Sequence, residues 1–201
     1  MQILHPFAGS PQQYLDQLSG FGTGRPQDCP RCQAQEPLTA HGFYTRTIID
    51  AGFDGEIRVR RYLCERCCRT VSLLPEFALP FPRSSLLVIA AGLVARFRPD
   101  TPAPAPGTPP PPMPYQRGQF WARRFRQRAP ALSAELTAFT PPVSAPTFVA
   151  RALTMLEASG WTRAHRGLFA DLRAHLLGWP PSLAPDGRRA ALGPVPAAAG
   201  A

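Results

Sequence analysis

The sequence predicts an α+β fold in which a small β domain precedes a mostly α-helical region. Aromatic and β-branched residues fill the ranges 38–49 and 56–63, and a Cys-x-x-Cys motif flanks them on each side. From residue 84 onward, apolar residues recur instead at three- and four-residue spacing. We therefore divide the chain into six segments: an N-terminal segment 1–24, the β domain 25–80, a helix within 81–98, a Pro-rich linker 99–114, an Arg-rich helical region 115–178 and a disordered tail 179–201.

The strongest chemical signal is the pair of motifs Cys29-Pro-Arg-Cys32 and Cys64-Glu-Arg-Cys67. Each motif places two thiolates at one tight turn, and two such turns together form the tetrahedral sulfur site that suits zinc. The alternative is two unrelated or redox-active dithiols, but no βαβ pattern of the thioredoxin type surrounds either motif. The sequence therefore predicts a zinc ribbon, with Zn as cofactor and these four cysteines as ligands.

Two further residues near the motifs could compete for the metal. Cys68 follows Cys67 directly, and only one of the two fits easily into the second turn. Pairing Cys64 with Cys67 keeps the symmetry with the first motif, so we expect Cys68 to be a spare thiol. His41 could replace a cysteine in a Cys3His site, but its place after the first motif is typical of a strand or turn.

The strands of the ribbon follow from local patterns. The Asp-Gly pair at 54–55 predicts a hairpin between the two β-rich ranges, and 69–74 predicts a third strand. Because side chains alternate along a strand, Arg58 and Arg60 are expected on one face, with apolar residues on the other.

The helices follow from apolar stripes and their end signals. Residues 11–18 predict one weak helix. The proline-rich block 99–114 cannot form a helix or a central strand, so we expect an extended linker there. Four further helices are predicted: Ser84–Phe97 with Ser84 as N-cap, Gln116–Arg128, Thr147–Ser159 and Thr162–Leu177.

The charge of the chain indicates its class of partner. The net charge is +9, and all 22 basic residues are arginines, which bind phosphate in a bidentate manner and read guanine edges. DNA is therefore the expected partner, the alternative being an ordinary solvated basic surface. The sequence has no signal peptide, and its longest apolar run, 86–95, is too short to cross a bilayer. With its clustered thiols, this predicts a cytoplasmic protein without membrane contact.

The range 116–128 is the densest basic segment and holds no acidic residue. On a helical wheel Arg117, Arg124 and Arg128 align, bordered by aromatic residues, so the helix could contact phosphates or base edges. The alternative is a solvated basic face beside a core. We predict that seven residues contact DNA: Arg117, Arg123, Arg124, Arg126 and Arg128 in this helix, and Arg58 and Arg60 in the ribbon.

No catalytic residues are expected. A transposase or nuclease core needs several carboxylates converging on a divalent metal, and the chain has 13 acidic residues, most of them before residue 99. His165 and His175 are ten positions apart, about 15 Å along one helix, so they cannot share a metal there. We predict that both are ordinary surface or packing residues and that the protein is not an enzyme.

The ribbon sequence also resembles a known family. The residues are the two cysteine motifs, His41-Gly-Phe-Tyr44, Ile57-Arg-Val-Arg-Arg-Tyr-Leu-Cys64 and Arg69-Thr-Val-Ser-Leu-Leu-Pro75. Over residues 25–98 they resemble the zinc-ribbon domain of a bacterial family linked to insertion elements, similar to the zinc-binding and helix-turn-helix regions at the N-terminus of transposases. The resemblance implies the same four zinc ligands and mobile-element DNA as the target. In this chain the proline block stands where a helix-turn-helix has its middle helix.

Taken together, these patterns predict a zinc-dependent DNA-binding protein related to the DNA-recognition part of transposases, without a catalytic core of its own. The alternative function is a protein-interaction module, in which the ribbon binds a transposase or another protein and the arginine helix pairs with an acidic surface. A steep salt dependence of binding to random duplex DNA would distinguish the two.

Overall fold

The computed structural model describes residues 1–17, 24–99 and 115–178. The predicted α+β class is confirmed. The predicted tail 179–201 and all but the first residue of the predicted linker 99–114 lie outside the described residues. The elements in chain order are β1 (Gln2–His5), α1 (Pro11–Gln17), β2 (Thr39–Asp50), β3 (Phe53–Cys64), β4 (Arg69–Pro75), α2 (Leu86–Phe97), α3 (Tyr115–Glu135), a short 3-10 helix (Leu136–Ala138), α4 (Phe148–Ser159) and α5 (Trp161–Leu172).

The four strands form one sheet in the order β1-β4-β3-β2. β2, β3 and β4 are antiparallel neighbours, whereas β1 pairs in parallel with β4. The hairpin turn is Ala51-Gly52 rather than the predicted Asp-Gly pair at 54–55, which lies inside β3. Gly52 has a φ of 75°, a conformation that glycine adopts without steric cost, so the two-residue turn closes there.

Both faces of the sheet are partly covered. Ile57 and Val59 on one face are fully buried in a cluster with Tyr14 of α1 and Phe169 of α5. On the opposite face, the Cys64 end of β3 is covered by the first cysteine turn. Arg58 and Arg60 lie on this second face beyond the cover, as the alternation predicts.

The helical region is built around an apolar core shared by α2, α3, α4 and α5. The N-cap of α2 is Ser85 rather than the predicted Ser84, because Ser84 bridges to the end of β2. The Ser85 hydroxyl accepts a hydrogen bond from the Val88 N–H at 3.1 Å. α4 begins at Phe148, one residue after its predicted start, and Thr147 is its N-cap.

Two helices end elsewhere than predicted. α3 continues past residue 128 to Glu135 and contains Pro130. Pro130 is on the exposed face of the helix, whereas Ala129 and Leu132 on the opposite face are buried in the core and hold the helix in place. α5 ends at Leu172 instead of Leu177, because Arg173 adopts a left-handed φ of 52° and turns the chain back. The reversal buries residues 175–177 against the helices.

The ribbon and the helical region contact each other directly. Phe169 of α5 packs into the sheet cluster, and the buried Glu76 after β4 forms an ion pair with Arg166 of α5. Arg46 of β2 donates to the carbonyls of Leu79 and Pro82 and so fixes the loop that leads into α2. Among the described residues, no helix has the length and apolar character needed to span a membrane.

Candidate metal centre and basic surfaces

The two cysteine turns have the same local design. The first covers residues 29–32 and is closed by the Gln33 N–H, which donates to the Cys29 carbonyl at 2.9 Å. The second lies between the end of β3 and the start of β4. In each turn, the residue after the second ligand-type cysteine has a left-handed backbone: φ is 57° at Gln33 and 52° at Cys68.

The folded sheet brings Cys29, Cys32, Cys64 and Cys67 together. All four Sγ atoms lie within 4.8 Å of one another, with 3.7 Å between Cys29 and Cys67 and 3.6 Å between Cys32 and Cys64. A tetrahedral ion with metal–sulfur bonds of about 2.3 Å requires sulfur–sulfur distances of about 3.8 Å. A disulfide would need about 2.05 Å, and none of the five cysteines forms one. The cluster can therefore hold a metal ion.

Backbone amides lower the pKa values of these thiols, whereas burial raises them. The Cys67 N–H donates to the sulfur of Cys64 and lowers the pKa of Cys64 to about 7. Burial raises the pKa of Cys67 to about 12, although the Arg69 N–H partly opposes this rise. The Ala34 N–H lowers the pKa of Cys32, but burial and neighbouring thiols raise it above its usual value. A bound cation would supply the charge that keeps all four groups as thiolates.

The two competing residues lie outside the cluster. Cys68 is exposed, and its thiol contacts the Glu65 carbonyl at 3.5 Å. His41 is exposed on β2. Within residues 1–17, 24–99 and 115–178, the four-cysteine cluster is the one group of three or more His, Cys, Asp or Glu side chains that could hold a metal.

The ribbon presents one small basic surface beside the metal centre. The guanidinium carbons of Arg58 and Arg60 lie 4.4 Å and 4.6 Å from the centroid of the Phe43 ring, and Arg60 also lies 5.4 Å from that of Tyr62. These cation–π contacts orient two positive charges over one ring. The Nε of Arg60 is buried without a hydrogen-bond partner in the described part of the chain.

The five candidate arginines of α3 divide into two groups. Arg117, Arg123 and Arg126 are exposed. Arg124 instead donates to the Leu177 carbonyl at 3.0 Å, and Arg128 forms a 2.5 Å ion pair with Glu135. Arg124 connects α3 to the reversed C-terminal segment, and Arg128 connects to the end of α3 itself. Both are therefore weaker candidates for contact with DNA.

Sequence reasoning missed one member of the exposed group. Arg96, in the last turn of α2, lines the same cavity as Arg123 and Arg126. The α2 and α3 helices dock on each other through Leu93, Phe125 and neighbouring residues. Only this packing brings Arg96 to α3, and local periodicity contains no signal for it.

A buried polar chain joins the ribbon to α5. Both histidines are packing residues, one of the two roles predicted for them, but the predicted separation of about 15 Å along one helix was wrong. His165 and His175 are buried, with His165 Nε2 3.0 Å from His175 Nδ1, because α5 ends early and the chain turns back. His165 Nδ1 must donate to the Glu76 carbonyl, which only accepts, so His165 Nε2 accepts from His175 Nδ1–H. His175 Nε2 is then a buried acceptor without a partner among the described residues.

Burial lowers the pKa of His165 to about 4, although the Glu76 carbonyl partly opposes this shift. Burial, followed by the nearby His165, lowers the pKa of His175 to about 3. Both rings are therefore neutral at pH 7. This agrees with the hydrogen-bond order, in which each ring donates once.

Comparison with known proteins identifies one similarity. A family model described as a domain of unknown function (DUF6431) matches residues 29–104, from the first cysteine turn through α2. No curated protein and no solved structure matches the chain. The match thus covers the metal centre and the sheet strands β2 to β4, but not α3, α4 or α5.

Proposed function

We propose that the protein binds one zinc ion through Cys29, Cys32, Cys64 and Cys67 and uses the metal-held ribbon with α2 and α3 to bind DNA. The four-thiol donor set supports zinc, because thiolates in tetrahedral arrangement select zinc or iron–sulfur clusters, and paired Cys-x-x-Cys turns of this kind form structural zinc sites. The bound ion would fold and stiffen the ribbon rather than carry out chemistry. Because clustered thiols stay reduced there, we place the protein in the cytoplasm.

The distribution of charge around α3 carries the DNA proposal. Acidic side chains pair with several other arginines, in the ion pairs Arg98–Glu157, Arg128–Glu135 and Arg166–Glu76. Arg96, Arg123 and Arg126 instead line one cavity, and among the described residues no acidic side chain lines it with them. Three guanidinium groups on one cavity, with no acidic neighbour in the described part of the chain, suit a polyanion whose phosphates they can contact.

The relationship to transposases rests on the resemblance of the ribbon sequence, and we propose mobile-element DNA as the target on that basis. We further propose that the protein has no catalytic core. A second candidate function is a protein-interaction module, favoured by the exposed Tyr115 and Phe120, which are 79% and 42% exposed and border the arginines. Such aromatic–arginine surfaces also occur at protein interfaces.

Fluorescence anisotropy with random-sequence duplex DNA tests the DNA proposal. We expect the zinc-loaded protein to bind with an affinity that falls steeply with salt. The double substitution Arg123→Gln/Arg126→Gln should weaken binding and lower the salt slope by about 1.8, since each phosphate contact contributes about 0.9. The matched control is Arg163→Gln/Arg173→Gln, which removes two exposed charges from α5 and its C-cap.

An equal loss of DNA affinity in the two double variants would show that net charge alone drives the association. Binding that does not change with salt, or that needs an acidic protein instead of DNA, would favour the interaction module. The variant Arg58→Gln/Arg60→Gln measures the share contributed by the ribbon. If that variant alone abolishes binding, the ribbon and not α3 is the contact surface.

A further inference from the structure

Two adjoining cavities lie between the second half of α2 and the first half of α3. One has a volume of about 330 Å³ and is lined mainly by apolar groups, including Gly92, Gly118 and Trp121; we call it the glycine cavity. The other has a volume of about 460 Å³ and is lined by Arg123 and Arg126; we call it the arginine cavity. Both volumes fall within the range of about 300–1,000 Å³ that is typical of sites for small ligands.

Three side chains line both cavities and so join them into one groove: Arg96, Tyr115 and Gln119. Gly92 and Gly118 line the glycine cavity and contribute no side chain to it. At its mouth, the Tyr115 ring is 79% exposed and offers an open aromatic face. An amide at Gln119 can both donate and accept hydrogen bonds.

A groove with an apolar part next to a basic part matches the two parts of a nucleotide, its base and its phosphate. A flat, weakly polar base suits the glycine cavity with its aromatic border, and a phosphate suits the three guanidiniums beside it. A base inside a duplex is already stacked and paired, so it presents no free face to Tyr115. A base of a single strand, or one unstacked from a duplex, does present such a face.

We propose that this groove receives an unpaired base of a nucleic-acid strand, with Tyr115 as the stacking residue and Arg96, Arg123 and Arg126 on the adjoining phosphates. The inference rests on the proposed function, because it concerns the same basic surface and specifies that the nucleic acid bound there is unpaired. It predicts that the protein binds a single strand, or a duplex with an unpaired base, more tightly than a fully paired duplex of the same length.

The test compares oligonucleotides that differ in base pairing. Anisotropy is measured for a single strand, a paired duplex and a duplex with one mismatch, each carrying the fluorescent base 2-aminopurine. Tyr115→Ala should weaken single-strand binding about 5- to 150-fold, the effect expected for one stacked base, and change duplex binding less than about threefold. Phe148→Ala, which removes an aromatic ring 53% exposed on α4, is the control and should change neither affinity.

Gly92→Leu gives a second test, because it fills the glycine cavity without altering charge and leucine favours a helix more than glycine does. It should weaken single-strand binding and abolish the change in 2-aminopurine fluorescence. The inference is overturned if Tyr115→Ala and Gly92→Leu leave single-strand binding unchanged, or lower single-strand and duplex binding equally. Competition by a poly-glutamate peptide as effective as that by the oligonucleotide would also overturn it.

The outcomes separate this inference from the proposed function. If Arg123→Gln/Arg126→Gln weakens duplex binding while Tyr115→Ala has no effect on the single strand, the surface binds DNA but the groove takes no base. If that double variant affects neither nucleic acid, the proposed DNA-binding surface itself is wrong.

Discussion

Replacing Arg166 with leucine tests whether the sheet and the helices unfold as one unit. Arg166 of α5 donates to both carboxylate oxygens of Glu76, at 2.6 Å and 2.7 Å, and the Phe7 N–H donates to one of them at 3.1 Å. The two partners differ in burial: the Glu76 side chain is 1% exposed, whereas that of Arg166 is 50% exposed. The loss in the free energy of unfolding should therefore depend on which of the two partners is replaced.

The magnitude follows from this difference in burial. In Arg166→Leu, the buried carboxylate keeps one amide donor and loses its counterion, a change that typically costs about 3–5 kcal/mol. Because water can reach the half-exposed position of Arg166, we expect a smaller loss of about 2–3 kcal/mol. In Glu76→Gln, the released guanidinium is rehydrated and the Phe7 N–H keeps an acceptor, so the expected loss is about 1–2 kcal/mol. The double variant should resemble Glu76→Gln, because a neutral amide needs no counterion.

Urea unfolding of the zinc-loaded protein measures these free energies. Tryptophan fluorescence reports on the helical region through Trp121 and Trp161, and zinc release to a colorimetric chelator reports on the ribbon. The two signals should change at the same urea concentration and should move together in Arg166→Leu. A loss below about 0.5 kcal/mol, or a shift of only one signal, would refute the reasoning.

Three further predictions follow from single contacts. Because burial lowers the pKa of His165 to about 4 and of His175 to about 3, below the value of about 6.5 in an unfolded chain, the unfolded state binds protons first. The free energy of unfolding should therefore fall as the pH drops from about 6.5 to 4, and His175→Leu should reduce that slope in urea titrations at several pH values. Metal analysis should find zinc retained in Cys68→Ser and lost in Cys67→Ser. Thermal melts should show Ser85→Ala destabilised by about 1 kcal/mol through its lost N-cap, whereas Ser84→Ala tests the predicted cap and should cost less.

Features with local causes were predictable from the sequence. The cysteine turns and the alternation around Arg58 depend on residues a few positions apart, and the structure contains both. The helices α2 and α4 also begin within two residues of their predicted starts, because apolar spacing and cap residues mark them. The α+β class then follows from the order of these segments.

Features that depend on distant contacts were not predictable. β1 was missed because a four-residue strand has little pattern of its own and is held by parallel pairing with β4, some seventy positions away. The contact between His165 and His175 was not predicted because α5 was expected to continue through residue 175. The roles of Arg124 and Arg128 depended on where the reversed C-terminal segment and Glu135 lie, and a helical wheel does not contain that information.

The central claim, a zinc ion held by four sulfur atoms, is tested most directly by zinc X-ray absorption on the purified, reduced chain. We predict about one zinc per chain, with four sulfur ligands at about 2.3 Å and no nitrogen or oxygen ligand. A zinc content near zero under reducing, chelator-free conditions would contradict the claim. So would a spectrum that requires a histidine ligand or only two sulfur atoms.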